Sequence, residues 1–249
     1  MNLKLIACNV FTREASLCLA QSPHLVDAVF TELGEHVHPD KLREQLQALI
    51  DATEGSSRPY DAIALLFGLC GNATVGLRAR SIPVTLPRSH DCCGILLGSR
   101  GRFQEHFADD PSTPFGSTGY MERGEYFLRI EDGISTVQYG DSFAAYVEQY
   151  GEENAQYIWD AMHPKREGAL NRAVFIDIPE TAHLGYVEEF QARAAEEGKA
   201  YTYLQGDLRL IRKLLEGDWD AEEFLVLQPG EQIAGVYDWK EIMRGKAVG

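Results

Sequence analysis

The feature that most narrows the fold is the alternation of short β-branched runs with helical patterns, cleanest toward the carboxyl end. Ala173–Ile178 reads as a strand, Ala182–Glu197 as a helix closed by Gly198, and Ala200–Leu204 as a strand. Asp207 then caps a helix through Leu215, closed by Gly217, and Glu223–Leu227 is a further strand. β-α-β-α-β with connections this short predicts a parallel sheet with right-handed crossovers. In the first half, strands are predicted at Leu3–Ala7, Ala62–Phe67 and Ile82–Leu86, with another near Leu25–Phe30. A helix opening at Pro39 carries Leu42, Leu46, Leu49 and Ile50 at helical spacing. Ser89 is the expected N-cap of a helix running from His90 to Leu97, with Gly98 as its stop.

The segment from Gly101 to Gly140 is rich in Gly, Pro, Ser, Thr and Tyr and reads as a packed excursion, a lid or hairpin. Two helices are expected after it, near Ser142–Tyr150 and Glu152–Met162, broken by Gly151. The expected architecture is α/β: two Rossmann-like or flavodoxin-like three-layer halves, residues 1–140 and 141–249, with a mainly parallel sheet and an irregular middle.

Charge narrows the partners. In 249 residues, 23 Lys and Arg stand against 38 Asp and Glu, a formal −15 at pH 7. Such a surface repels phosphate backbones and anionic lipid, so neither nucleic acid nor a membrane is an expected partner. No apolar run approaches the roughly 20 residues of a membrane span. The first residues lead straight into a strand without a secretion signal, which makes the expected location cytoplasmic.

Five cysteines, an odd number, in a long chain read this way argue against a disulfide framework and for thiols kept for metal or chemistry. Their placement is informative. Cys8 sits at the carboxyl end of the first strand. Cys70 lies just beyond the strand Ala62–Phe67, and His90, Asp91, Cys92 and Cys93 lie just beyond Ile82–Leu86. Ligands of open parallel sheets bind outside the carboxyl ends of the strands. Three strands thus carry thiols or imidazole to one rim, a donor set suited to zinc. Cys70, His90 and Cys92 would leave a fourth position open; Cys8 would close the shell. Neighbouring residues on a helix diverge by about 100°, which favours Cys92 over Cys93 as the ligand. An iron–sulfur cluster on Cys8, Cys70, Cys92 and Cys93 is the alternative. Cys18, inside a helical pattern, reads as a core residue.

Other polar residues follow the same rim. Glu14 is the candidate for proton transfer, and Asp91, within the cluster, is the second candidate catalytic residue. Ser99 and Arg100 can hold an anionic group, Tyr120 and Glu122 can close over a ligand, and Asp207 opens a helix at a strand end. His36 and His38 read as loop residues. The glycine-rich phosphate loops and the nucleophile elbow of α/β-hydrolases are missing, which disfavours nucleotide-driven phosphoryl transfer and hydrolase chemistry.

The runs Leu5–Cys8, Gly68–Asn72, Pro87–Cys92 and Leu96–Arg100, together with Gly206-Asp207 and Gly217-Asp218-Trp219, resemble an uncharacterised family of prokaryotic proteins. Its members are often encoded beside corrinoid-dependent methyltransferases for methylated amines. By that likeness Cys8, Glu14, Cys70, His90, Asp91, Cys92, Gly98 and Ser99 match the family pattern, whereas Cys93 does not. The resemblance implies a place in one-carbon metabolism. The expected function is therefore a zinc-dependent enzyme acting on a small molecule, a methyltransferase, lyase or hydrolase. The alternatives are a non-catalytic metal- or corrinoid-handling accessory protein for a methyltransferase and an iron–sulfur redox protein.

Overall fold

The computed structural model describes residues 1–32, 39–111, 113–123, 172–236 and 241–248. His36, His38 and the helices expected at 142–150 and 152–162 lie outside these residues.

The first sheet grows around two strands with few polar side chains. β1 (Asn2–Cys8) pairs in parallel with β2 (Leu25–Thr31) on one side and β3 (Ala62–Leu66) on the other. β3 then pairs in parallel with β4 (Val84–Pro87). Every residue of β3 and β4 is buried, the signature of strands covered on both faces. α1 (Thr12–Leu19) follows β1 through a short 3-10 turn, and α2 (Pro39–Glu54) buries Leu42, Leu46, Ile50 and Thr53 along one stripe. α3 (Cys92–Leu96) and α4 (Arg100–Phe107) follow β4, and Phe103 and Phe107 stack in the core with ring centroids 5.2 Å apart.

A second, three-stranded parallel sheet combines β5 (Phe115–Gly116), β6 (Arg172–Asp177) and β7 (Ala200–Gln205), in the order β5-β6-β7. α5 (Thr118–Arg123) leaves β5, α6 (Tyr186–Glu196) joins β6 to β7, and α7 (Arg209–Glu216) follows β7. The fold is thus mixed α/β with a mainly parallel central sheet. The last predicted strand departs from the expected pattern. β8 (Phe224–Leu227) leaves the second sheet and pairs antiparallel with β4, giving the first sheet the order β2-β1-β3-β4-β8. A strand that joins the edge of the first sheet from this side runs against β4, so the short connection from α7 needs no crossover. β9 (Glu231–Gly235) and β10 (Met243–Ala247) form a terminal hairpin.

The helix expected from Ala182 is interrupted. Gly185 adopts φ +79, so a 3-10 turn at 182–184 precedes α6. The segments leaving the carboxyl ends of the two sheets press together. A Cβ on Gly119, just past β5, would lie 1.7 Å from the carbonyl oxygen of Val10, just past β1. Likewise the Asp207 N–H after β7 donates to the Leu96 carbonyl at 2.9 Å.

Candidate functional site

Two loops at the carboxyl rim of the first sheet are stitched backbone to backbone. Leu69 N–H donates to the Ser89 carbonyl and Cys70 N–H to the His90 carbonyl, both at 2.9 Å. Gly68 makes this approach possible, because a Cβ there would meet Ser89 O at 2.7 Å and Asp91 N at 2.8 Å. The chain then turns through three consecutive left-handed residues, Cys70 (φ 48), Gly71 (φ 62) and Asn72 (φ 68). For Cys70 and Asn72 that conformation is costly, and Arg43 helps hold it by donating to the Asn72 carbonyl at 2.9 Å.

The result brings three thiols together. Cys92 is in hydrogen-bond contact with both Cys70 and Cys8, and these contacts with burial hold its thiol well above the ordinary pKa. Cys8, Cys70 and Cys92 are at most 6% exposed. Cys93 turns elsewhere: burial pushes its thiol up, and the charges acting on it are those of Asp91 and Arg172. His90 is buried, its ring centroid 5.9 Å from that of Phe103. All five cysteines are free thiols. No group of three or more His, Cys, Asp or Glu among the described residues is placed to hold a metal ion.

The helix after the second loop starts later than expected. Asp91, not Ser89, caps α3, its Oδ1 accepting from Gly94 N–H at 3.2 Å. Ser89 instead donates its hydroxyl to the Asp91 carbonyl at 2.8 Å. One Asp91 oxygen is therefore spent on the helix terminus.

Glu14 is the most anomalous side chain in the structure. It lies on the buried face of α1 with Ala15 and Cys18, is 0% exposed, and neither carboxyl oxygen has a hydrogen-bond partner among the described residues. Burial raises its pKa from the ordinary 4.5 to about 7, and Glu122 raises it further while Arg13 opposes. Arg13 itself is held by Glu122 through Nε at 2.8 Å and 2.9 Å and Nη2 at 2.6 Å. Glu122 thus anchors α5 over α1. Tyr120 packs edge-on against Phe115 with centroids 5.2 Å apart and is buried.

Ser99 and Arg100 stand elsewhere, in a cleft of about 560 Å³ at the start of α4. Arg88, Ser99, Arg100 and Gln104 line it together with Asp220, Glu222 and Glu223; none of the thiols does. Asp207 accepts from Arg209 N–H at 2.8 Å at the start of α7, outside this lining.

Some residues of the two rims were not singled out from the sequence. Ser117, at the end of β5, has a fully buried hydroxyl without a partner among the described residues. Asp177, at the end of β6, accepts from Tyr203 at 3.1 Å through one oxygen and leaves the other without a partner. The carboxyl-end rule applied to the strand Ala173–Ile178 finds Asp177, whereas Ser117 follows a two-residue strand that the sequence pattern does not reveal. Arg88, four residues before Cys92, was passed over as well.

The sequence pattern of one protein family, described as a protein of unknown function (DUF1638), matches residues 30–215. No curated protein and no solved structure matches the chain.

Proposed function

The chain belongs to the DUF1638 family, and from that premise we propose that it is a cytoplasmic zinc-dependent enzyme acting on a small molecule in one-carbon metabolism. The observation that carries the reading is the contact of Cys92 with both Cys8 and Cys70, donors from the ends of β1, β3 and β4. Sulfurs bound to one tetrahedral zinc at about 2.3 Å stand about 3.8 Å apart, which is thiol contact distance. Deprotonation would let the three turn onto a shared ion, together with His90, so the shared protons are what the metal replaces. A bound zinc supplies Lewis acidity or activates a thiol or water. Glu14, whose pKa burial raises to about 7, serves as the proton-transfer group. Ser99 and Arg100 belong to the small-molecule cleft.

Two Rossmann-like halves whose carboxyl rims meet are part of this reading. So is the neighbourhood that the resemblance implies, corrinoid-dependent methyl transfer from methylated amines. Among the described residues no helix is long and apolar enough to cross a membrane. The seclusion of the thiols from the cleft favours a second reading, a non-catalytic metal- or corrinoid-handling protein with a closed shell.

Elemental analysis after anaerobic purification tests the metal. About one equivalent of zinc is expected, lost in the variant C92S; less than about a tenth of an equivalent of any transition metal would end the proposal. A brown, iron-containing preparation would favour the cluster instead. Cobalt substitution then separates the two zinc readings. A visible spectrum that shifts when cyanide is added marks an open position and an enzyme, and one that does not marks a closed shell.

A further inference from the structure

We propose that the cleft beside α4 binds a small zwitterion, a molecule with one carboxylate and one ammonium group such as a free amino acid. The inference rests on the small-molecule reading for the use of the cleft, and on nothing at the thiols. Its volume, about 560 Å³, is in the range of small-molecule sites. Part of the lining is cationic and pre-set. Arg88 donates through Nε to the carbonyls of Ala221 at 3.0 Å and Phe224 at 3.2 Å, and through Nη1 to those of Glu241 at 3.2 Å and Met243. Four main-chain acceptors fix the guanidinium, and its Nη2 has no partner among the described residues. Arg100 and the first-turn N–H of Gly101, which has no intrahelical acceptor, belong to the same lining.

The acidic residues of the lining are partly spent. Lys213 holds Asp220 at 2.6 Å and Glu223 at 3.2 Å, and Arg209 holds Glu223 as well. Glu222 remains: its side chain is 84% exposed and its one ion pair among the described residues, with Arg100, spans 3.9 Å, beside a donation from Arg100 Nη1 to the Glu222 carbonyl at 3.4 Å. An exposed pair that loose contributes little, so a ligand displaces it at small cost. The ligand carboxylate takes the place of Glu222 beside Arg100 and reaches Arg88 Nη2, and Glu222 turns to the ligand ammonium. Both signs are needed. The unspent Glu222 carboxylate disfavours a polyanion, and two guanidinium groups repel a simple amine.

Saturation-transfer NMR on the whole chain tests this, with pooled proteinogenic amino acids as probes. Acetate and methylamine serve as single-charge probes and inorganic phosphate as the polyanion. The expected result is saturable binding of at least one amino acid, about tenfold tighter than acetate or methylamine. R100A should weaken it by about tenfold or more. E222Q, an exposed substitution that leaves the fold intact, should weaken the amino acid several-fold and leave acetate unchanged. Binding should be the same in metal-free and zinc-loaded protein. Failure of zinc to bind therefore leaves this inference standing. No binding by any amino acid, equal binding of acetate or phosphate, indifference to both substitutions, or binding only with zinc present would each overturn it.

Discussion

At the scale of single residues, Glu14 sets the sharpest expectation. Its folded pKa, about 7, lies above the ordinary 4.5, so between these values the folded protein holds a proton that the unfolded chain has released. Stability contributed by this group is complete below about pH 4.5, declines as pH rises toward about 7, and stays lost above. The span corresponds to something on the order of 3 kcal/mol. Other carboxylates, among them Glu122, Asp51 and Asp220, have lowered pKa values and act in the opposite sense, so the comparison must be between variants. E14Q, an isostere that cannot ionise, should gain on the parent by on the order of 3 kcal/mol between pH 4.5 and pH 8 in urea unfolding. Equal pH slopes in the two proteins would show that Glu14 is solvated. If Glu14 also moves the proton in catalysis, E14Q folds and is inactive. Sequence reasoning reached Glu14 through its place after β1 and could not reach its burial. Burial depends on α5 closing over α1, through the Val10–Gly119 approach and the Arg13–Glu122 pair, and those contacts span more than a hundred residues of chain.

Elements explain why the thiols meet. Strand order alone places Cys8, Cys70 and Cys92 on one rim, and that much was legible from the short apolar runs. The final convergence comes from the contact between the loops after β3 and β4, for which Gly68 leaves room. G68A puts a methyl against the Ser89 carbonyl and the Asp91 N–H, backbone atoms that cannot move aside singly. It should cost about 1–3 kcal/mol and lower zinc affinity with it. G55A is the control, since its Cβ meets nothing nearer than the Ala52 carbonyl at 3.8 Å. Thermal unfolding and zinc titration of the two variants decide the matter: a G68A protein as stable and as metal-competent as G55A would mean the loops are not tightly coupled. Local pattern was weaker on the helix start. Both Ser89 and Asp91 are good caps by type, and the choice fell to Asp91 because the Ser89 hydroxyl is occupied by the Asp91 carbonyl. The direction of β8 was equally hidden. A short apolar run after a helix looks alike whether it continues the second sheet in parallel or crosses to the first and runs antiparallel.

On the scale of the whole molecule, the sheet order shows that the matched stretch is not a folding unit. Residues 30–215 begin near the end of β2 and stop within α7. They omit β1, which lies between β2 and β3, and β8, which covers the outer side of β4. Removing β1 together with most of β2 takes away two strands of the sheet and leaves the edge of β3 that β1 had paired uncovered. It also removes Cys8 and Glu14, and with them one thiol of the cluster and the buried carboxyl. The C-terminal elements are bound to the first sheet in the same way: β8 pairs with β4 over Val84–Leu227 to Pro87–Phe224, and Arg209 reaches the Gly98 carbonyl at 2.8 Å. A fragment of residues 30–215 should therefore show no cooperative thermal transition and should expose apolar surface to the dye ANS, whereas the whole chain unfolds in one transition. Restoring the amino-terminal elements β1, α1 and β2, as residues 1–215, should not rescue it, because the edge of β4 stays open and the cleft loses its acidic residues at 220–223. A cooperative unfolding transition in either fragment would mean that the first sheet closes without β8, and that the antiparallel pairing is an accessory to the fold instead of a condition of it.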